Sequence, residues 1–448
     1  MNLIQKYNVP GPRYTSYPTV PFWNADTFSK EKWIQSFQET FSLTNRKEGI
    51  SLYIHLPFCE SLCTFCACHK HITKRHELEH PYITAVTKEW KLYVALMDEV
   101  PVIKEIHLGG GTPTFFSPEN LEALLEGILN ESVVSDEYEF SFEGHPNNTS
   151  EEHLQTLYDL GFRRVSFGVQ DYNEMVQKAI HRIQPFEQVK KVTELARKIG
   201  YTSVSHDLVF GLPFQSMDCV VETIKKTKTL QPDRISFYSY AHVPWIKGVG
   251  QRGFNEDDLP KDAEKRALYE RGKELLSELG YVEIGMDHFG LPSDELYKSS
   301  ISGKLHRNFM GYTAQKTSLM IGLGMSAISD SWNAFAQNVK SVKEYQTLVN
   351  SGEIPVFRGH ILSEEDVSIR QHILNLMCRF ETQWNSEEDL VINPSLLAEM
   401  EADQLIQQFP NRLQVLDAGK PFVRNVCMAI DSYLQQKETA ERRFSLTV

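Results

Sequence analysis

Four cysteines lie close together in a sequence that contains seven cysteines among 448 residues. They are Cys59, Cys63, Cys66 and Cys68, and the first three follow the spacing C-x3-C-x2-C. Soft thiolates at this density favour an iron–sulfur cluster or a zinc ion. Three thiolates on a four-iron, four-sulfur cluster leave one iron open to a small molecule, whereas structural zinc prefers four protein ligands. The spacing favours such a cluster on Cys59, Cys63 and Cys66, with zinc as the alternative.

Composition excludes several classes of protein. No run reaches the roughly 18 to 20 apolar residues of a membrane span, and the N-terminus lacks the apolar stretch of a secretion signal. We therefore expect a soluble, cytoplasmic protein, in which clustered thiols serve metal or redox chemistry rather than disulfides. The formal net charge of −13 disfavours nucleic-acid binding. Three further cysteines, Cys219, Cys378 and Cys427, are expected in the core.

Six apolar runs alternate with helical patterns and predict a parallel α/β sheet or barrel. In chain order they are SLYIHLP, IKEIHLGGG, YEFSFEGHP, RRVSFGVQD, SVSHDLVFGLP and DRISFYSYAHVP. Polar residues or glycines gather at the carboxyl end of each run, which is the edge where such sheets bind ligands. The cysteines, the glycines of GGGTPT, Glu143, Gln170 and Asp207 all occupy this place. One edge of the sheet is therefore predicted to carry one site.

The helix boundaries are also marked in the sequence. Gly161, Gly200 and Gly280 each follow an apolar residue and precede an aromatic residue, a pattern typical of the left-handed end of a helix. Ser117 before Pro118 predicts a helix start, as does Ser363 in the C-terminal region. Thr149 with Glu152 predicts a capping box.

These motifs resemble those of radical S-adenosylmethionine (SAM) enzymes, in which C-x3-C-x2-C follows the first barrel strand and a glycine-rich loop follows the second. Over about residues 7 to 330 the resemblance extends to one family of that superfamily, oxygen-independent coproporphyrinogen III oxidase. The motifs that carry it are GPRYTSYPT, CTFCAC, FGVQD, DLVFGLP, YAHVP, GMDHF and HRNFMGYT. The resemblance implies a partial (β/α)6 barrel over residues 46–350, an N-terminal substrate-covering lid segment over 1–45 and a small, mostly helical C-terminal domain over 351–448.

The resemblance also implies the site residues. Cys59, Cys63 and Cys66 would hold the cluster. Gly110, Gly111 and Thr112 would contact the methionine end of SAM, and Glu143 its ribose. Four further positions match residues that line the cofactor pocket: Tyr53, Phe65, Ala241 and Ile328. A second SAM molecule would bind at Gln170, Arg182, Asp207 and Cys68.

The implied reaction is the oxidative decarboxylation of two propionates of coproporphyrinogen III to vinyl groups, giving protoporphyrinogen IX through a 5'-deoxyadenosyl radical. Because the substrate carries four carboxylates and the protein is acidic, placed arginines must bind it. Arg13, Arg182 and Arg307 are the candidates, and Arg13 and Cys68 are expected to act in catalysis. An unidentified electron donor and acceptor are implied, and the protein is expected to be a monomer.

Two other functions stay open at this point. A haem chaperone of related sequence would bind and transfer haem, and another radical SAM relative would open or methylate the haem ring. The chaperones generally lack the PRYTSYPT segment and the cysteine two residues beyond the third ligand. This sequence contains both.

Overall fold

The computed structural model describes residues 3–243, 251, 253–385, 393–436 and 444–447. Within them the helices are α1 (Leu3–Tyr7), α2 (Lys30–Glu48), α3 (Glu79–Val94), α4 (Pro118–Leu129), α5 (Glu151–Asp159), α6 (Glu174–Ala179), α7 (Phe186–Ile199), α8 (Met217–Leu230), α9 (Asp262–Glu278), α10 (Glu295–Ile301), α11 (Val342–Asn350), α12 (Glu364–Arg379), α13 (Pro394–Ala402), α14 (Val423–Ala429) and α15 (Ser432–Gln436).

The strands are β1 (Ile50–Leu56), β2 (Phe58–Cys59), β3 (His71–Ile72), β4 (Val102–Gly110), β5 (Val133–Gly144), β6 (Arg164–Gln170), β7 (Ser203–Phe210), β8 (Arg234–Ser239), β9 (Val282–Gly285), β10 (His288–Gly290), β11 (His306–Asn308), β12 (Gly311–Thr313), β13 (Met320–Leu323), β14 (Ile328–Asp330), β15 (Ala334–Asn338), β16 (Val356–Ile361), β17 (Glu381–Gln383), β18 (Ile406–Phe409) and β19 (Arg412–Val415).

Twelve strands form one sheet in the order β16-β15-β14-β13-β1-β4-β5-β6-β7-β8-β10-β9. The six predicted strands are confirmed as β1, β4, β5, β6, β7 and β8, each parallel to its neighbour. The structure adds a seventh parallel strand, β13, beside β1, and antiparallel strands at both edges. Because the two edge strands do not pair with each other, the barrel is partial, as the resemblance implied.

Apolar packing holds the outer helices against this sheet. The largest core cluster joins residues of β1, β4, β5 and β6 to α3, α4 and α5. Helix α2 contributes Trp33, Phe37 and Phe41, all fully buried. Parallel strands covered on both faces are buried along most of their length. Seven of the eight residues of β7 are buried, although four of the eight are polar.

The predicted helix boundaries are confirmed, except for the cap of α5. Gly161, Gly200 and Gly280 all adopt positive φ angles at helix ends, and Ser117 and Ser363 cap α4 and α12. The capping box of α5 is formed by Ser150 with His153, not by Thr149 with Glu152. Thr149 instead donates its hydroxyl to the His145 carbonyl one turn earlier, which leaves Ser150 as the last extended residue before the helix.

The two ends of the chain pack together. Tyr7, Tyr14 and Tyr17 share a buried apolar cluster with α12, α13 and α14. The range 1–45 also contains most of α2, which belongs to the main core instead. Strand β16 lies inside the range 351–448, yet it pairs with β15 of the large sheet. The rest of that C-terminal range combines helices with a three-stranded antiparallel sheet, β17-β19-β18. No helix in the described ranges is long and apolar enough to cross a bilayer.

Candidate active site

The loop that carries the four cysteines, residues 59–68, follows β1, and short strands on either side of it pair with each other. Strand β2, which contains Cys59, pairs with β3, so the chain leaves and returns at adjacent positions. Inside the loop, the Thr64 amide and hydroxyl donate to the carbonyls of Ile180 and Ala179, each at 3.0 Å. Lys70 Nζ donates to the carbonyls of Cys66 and Cys68 at 3.1 and 3.3 Å. These bonds fix a short loop that would otherwise be free at the edge of the sheet.

Three of the four thiols, Cys59, Cys66 and Cys68, have shifted pKa values. Burial raises the pKa of Cys59 to about 11, although the hydrogen bond with Thr112 Oγ1, at 3.3 Å, acts to lower it. A hydrogen bond from the Cys68 thiol, and then the charges of Lys70 and Arg182, lower the pKa of Cys66. The same bond raises the pKa of Cys68. These opposite shifts favour the thiolate form at Cys66 over that at Cys68.

The donor set suits a cluster better than a single ion. In the ranges that the structure describes, no three His, Cys, Asp or Glu side chains converge closely enough to hold one metal ion. An iron–sulfur cluster instead takes its thiolates at separate corners. Cys59, Cys63 and Cys66 are all partly exposed and line one cavity of about 560 Å³, within the size range typical of ligand sites. We call this the thiol cavity.

The GGGTPT loop forms the next part of the cavity wall. A side chain on Gly111 would lie 2.5 Å from the Pro57 carbonyl oxygen, and Gly110 has a φ of +112° beside the His55 ring. Only glycine allows this close approach. The amides of Gly111 and Thr112 already donate to the carbonyls of Leu56 and Phe58. These two donors are used within the fold, so the loop does not offer them to a ligand.

Glu143, at the end of β5, presents a half-exposed carboxylate to the thiol cavity. Burial acts to raise its pKa, but the hydrogen bond and charge of His107, with the Gly110 amide, lower the pKa overall. His107 Nε2 lies 3.4 Å from Glu143 Oε1, while His107 Nδ1 bonds Ser141 Oγ at 2.8 Å. Glu143 is therefore held as an anion that can accept hydrogen bonds from a ligand.

A second group of charges lies on the β6 and β7 side of the same cavity. Arg182 donates to the Gly168 carbonyl at 2.7 Å and to Cys63 Sγ at 3.8 Å, without a carboxylate partner in the described structure. Asp207 accepts from Ser166 Oγ at 3.0 Å. Burial, and then repulsion from Glu143, raise the pKa of Asp207 to about 6. One cation and one carboxylate thus face the cavity without pairing to each other.

The structure brings most of the predicted site residues into the thiol cavity. Those that line it are Cys59, Cys63, Phe65, Cys66, Cys68, Gly110, Gly111, Thr112, Glu143, Gln170, Arg182, Asp207 and Ala241. Tyr53 and Ile328 are not among the lining residues. Tyr53 lies behind the wall, where its hydroxyl bonds His55 Nδ1 at 3.0 Å and its ring stacks on His107. Ile328 lies in β14, opposite Gln337.

The two remaining arginines, Arg13 and Arg307, lie outside the large sheet and do not line the thiol cavity. Arg13 pairs with Asp287 and lines a neighbouring cavity of about 400 Å³. We call this the cationic cavity, since its wall includes Arg13, Lys261, Lys265, Arg266, Lys420 and Arg424. Arg307 lines neither cavity: it is buried, stacks over Tyr312 and donates to the Arg13 carbonyl at 3.1 Å.

Several residues of the thiol cavity were missed in the sequence analysis. Ser166, Tyr238 and Tyr240 line it from within or just after strands. Only a partial signal was present, because side chains two residues apart face the same side of a strand but neither reference position, Gly168 or Tyr240, was itself predicted. Ser166 precedes Gly168 by two residues and Tyr238 precedes Tyr240 by two. His145 also lines the cavity, and burial with the charge of Arg182 lowers its pKa to about 3.

Comparison with known proteins identifies the family of this chain. The sequence model of the radical SAM superfamily matches residues 53–227. Oxygen-independent coproporphyrinogen III oxidase from Synechocystis is 37% identical, with 100% of this chain and 97% of the relative aligned. The enzyme of that name from Helicobacter pylori is 38% identical, with 99% and 98% aligned.

A solved structure extends the similarity to three dimensions. Coproporphyrinogen III oxidase from Escherichia coli, described as a radical SAM enzyme, superposes with a TM-score of 0.87 at 34% identity. The alignment covers 94% of this chain and 98% of that one. Identity above 30% over nearly the full length of both partners, together with the shared fold, shows the family. The chain belongs to the oxygen-independent coproporphyrinogen III oxidase family of radical SAM enzymes.

Proposed function

We propose that this protein converts coproporphyrinogen III to protoporphyrinogen IX without oxygen, as a step of haem biosynthesis. Two propionate side chains each lose a hydrogen atom, one electron and carbon dioxide, and become vinyl groups. The observation that carries this proposal is the junction of two cavities at Ser239–Ala241: one presents thiols and Glu143, the other a set of cations. The first suits the cofactors and the second suits a substrate with four carboxylates.

The cofactors are a four-iron, four-sulfur cluster and SAM, as the radical SAM superfamily implies. When bound, they supply a 5'-deoxyadenosyl radical that takes hydrogen from the propionate β-carbon. Cys59, Cys63 and Cys66 would hold the cluster. Glu143 would accept hydrogen bonds from the ribose hydroxyls of SAM, since His107 keeps it ionised. The loop at Gly110 and Gly111 would let the methionine end approach the backbone.

The Arg182 and Asp207 pair suits the amino-acid end of a second SAM molecule. An amino acid carries a carboxylate and an ammonium group, and the unpaired guanidinium and the carboxylate of this pair complement both. Gln170 lies on the same wall and has a positive φ of 68°. Binding an ammonium group beside Asp207 would stabilise its ionised form, which burial and the charge of Glu143 disfavour.

The N-terminal segment is proposed to cover the site and to place Arg13 against a propionate. It is held by the C-terminal region: Arg424 donates to the carbonyls of Gly11 and Pro12, and Tyr14 donates to Asp431 at 3.0 Å. Arg307 would act through Arg13, whose carbonyl it binds. A fixed cover of this kind would keep water and stray reductant away from a carbon radical.

Other features of the proposal concern partners and location. We propose a monomeric enzyme of the cytoplasm, where a reducing environment keeps the seven cysteines as thiols. It needs an electron donor for the cluster and an acceptor for the electron released at each decarboxylation. The acidic balance of the chain, at −13, gives no support to a nucleic-acid partner.

An anaerobic assay tests the proposal against its alternatives. The reconstituted protein, with SAM and a chemical reductant, is incubated separately with coproporphyrinogen III and with haem. We expect two equivalents of carbon dioxide and protoporphyrinogen IX from the first incubation, and unchanged haem in the second. Transfer of intact haem, or opening or methylation of its ring, without conversion of coproporphyrinogen III would refute the proposal.

A further inference from the structure

The cationic cavity has properties that the cofactors do not require. It lies beside the thiol cavity and shares Ser239, Tyr240 and Ala241 with it. Three separate parts of the chain build its wall: the N-terminal segment at Arg13, the start of helix α9 at Lys265 and Arg266, and the C-terminal region at Lys420 and Arg424. Tyr240 and Tyr269 add aromatic surface. The cavity therefore offers both charge and apolar contact.

Its charges are unbalanced. Six lysine and arginine side chains line the cavity, against three carboxylates, Glu256, Glu283 and Asp287. Two of these carboxylates are already bound, because Asp287 pairs with Arg13 and Glu283 accepts from Lys273 and Tyr269. Three of the cations also pair with carboxylates outside the wall, Lys261 with Asp257, Arg266 with Glu270 and Lys420 with Asp417. The cavity nevertheless gathers six cations in a chain whose net charge is −13. Such a concentration of cations attracts anions, and a low-dielectric wall strengthens the attraction.

Several of these cations have hydrogen-bonding capacity or charge left uncompensated. Arg266 pairs with Glu270 on its outer side, but its buried Nε has no partner in the described structure. Arg424 donates to four backbone carbonyls and meets no carboxylate among the described residues. Outside the wall, Arg307 donates to the Arg13 carbonyl and is 5% exposed, and its Nε and Nη1 atoms have no partner among the residues that the structure describes. Buried charges of this kind are stabilised when an anion arrives.

A substrate of this reaction carries four propionates, of which two react and two remain. The reacting arms must reach the thiol cavity, and their approach must be controlled closely because radical transfer needs near-contact geometry. Anchoring the arms that do not react is a direct way to fix the macrocycle. The cationic cavity adjoins the thiol cavity and contains cations from three chain regions, so it can hold two carboxylates at once.

We propose that the cationic cavity binds the two propionates that are retained in the product, with Arg266 and Lys420 among their ligands. This inference rests on the proposed function and adds which part of the substrate the cavity takes. Arg266 would bind through the end of its guanidinium, which pairs with Glu270 in this structure, and Lys420 would exchange its exposed partner Asp417 for a propionate on the C-terminal side. The same two carboxylates are present in substrate and product, so the site binds both.

The test compares binding of coproporphyrinogen III and protoporphyrinogen IX to the cluster-loaded enzyme with SAM, under anaerobic conditions. The variants are Arg266→Gln, Lys420→Gln and the double variant. Arg271→Gln is the matched control, because Arg271 lies on the same helix and pairs with Glu274 at the surface. We expect the double variant to weaken binding of both ligands by about 10- to 100-fold, the effect of removing charged hydrogen-bond partners. SAM cleavage without substrate should not change.

The outcomes separate the two claims. If the wild type converts coproporphyrinogen III but the double variant binds both ligands as tightly as the Arg271→Gln control, the cationic cavity is not the anchor. Weakened binding of coproporphyrinogen III alone would assign the cavity to the reacting arms and also overturn the inference. Failure of the wild type to convert coproporphyrinogen III would instead refute the proposed function.

Discussion

The thiol cavity and the cationic cavity are neighbours built in different ways. The thiol cavity is lined by residues 59–241, which leave consecutive strands of one parallel sheet at the same edge. The cationic cavity needs the N-terminal segment, helix α9 and the C-terminal tail to meet. The thiol cavity therefore results from a strand–helix unit that repeats along the chain. The cationic cavity exists only after distant parts of the chain have packed together, so its chemistry is open to change by substitutions far away in sequence.

The largest effect is expected at the cysteines of the thiol cavity. Replacing Cys59, Cys63 or Cys66 with serine should remove the thiolate-to-iron absorption near ~400 nm and abolish SAM cleavage, because each supplies one cluster ligand. Cys68→Ser is the control: it should retain the cluster and lose turnover. Full cluster occupancy in any of the three ligand variants, measured as iron content and absorbance, would contradict the assignment. Cluster loss in Cys68→Ser would make Cys68 a ligand.

Arg13 tests the cationic cavity from its N-terminal side. Arg13→Met should lower turnover of coproporphyrinogen III by roughly 10- to 100-fold, since a charged partner of a propionate is lost, while the cluster and SAM affinity stay unchanged. Arg13→Lys should recover part of the rate. A point substitution is preferable to deletion of residues 1–20, because deletion would also remove Tyr7, Tyr14 and Tyr17 from the core of the C-terminal region. A near-normal rate for Arg13→Met would exclude substrate contact.

Glu143 tests whether the thiol cavity binds SAM. Glu143→Ala should weaken SAM binding by roughly 1 to 3 kcal/mol, the usual cost of removing a charged acceptor from hydroxyl donors. Calorimetry on the cluster-loaded protein measures the change. Glu143→Gln keeps one acceptor oxygen and should lose less. Unchanged SAM affinity in the alanine variant would show that Glu143 does not bind SAM and has only a structural role.

The smallest expected effect concerns stability and pH at Asp207. Its pKa is raised to about 6 in the folded chain, above the value of about 3.9 in an unfolded chain. Ionisation is therefore disfavoured by folding, and the wild type loses stability as pH rises from about 4 to 6. Asp207→Asn should avoid this loss, so its advantage in unfolding free energy should be near zero at pH 4 and reach about 1 to 3 kcal/mol above pH 6.5.

Denaturant unfolding of the cofactor-free protein at several pH values measures that difference. Exposed Asp136→Asn serves as the control. An advantage of Asp207→Asn that does not grow with pH would show that burial does not control this carboxyl group. Asp207→Asn should also reduce turnover if the carboxylate receives an ammonium group of SAM.

Much of the site could be predicted because the relevant signals are local. Glycines at helix ends and apolar runs between them located six parallel strands, and parallel strands place their carboxyl ends on one edge. The cysteines, Glu143 and Asp207 could therefore be assigned to one cavity before any coordinates. The capping box of α5 was predicted one residue too early, since Thr149 and Ser150 are both plausible caps and only backbone geometry distinguishes them.

Other features depended on contacts between distant residues. Strand β13 was missed because its four residues, Met320–Leu323, are too short to show a period, and pairing with β1 defines them. The charge balance around Arg13 was equally hidden, since Asp287, Arg307 and Arg424 are separated from it by hundreds of residues.

The sequence by itself determined the chemistry of the thiol cavity, because side-chain types at strand ends reach the same edge whatever the rest of the chain does. Only the tertiary structure decided that the two termini pack against each other through Tyr14, Tyr17 and Arg424, and that a cationic cavity results. The physical reason is the sequence separation of the interacting residues, because secondary structure follows from residues only a few positions apart. Placing Arg13 and Arg424 in one cavity, by contrast, depends on contacts between residues far apart in sequence, and the packing of the whole fold stabilises them.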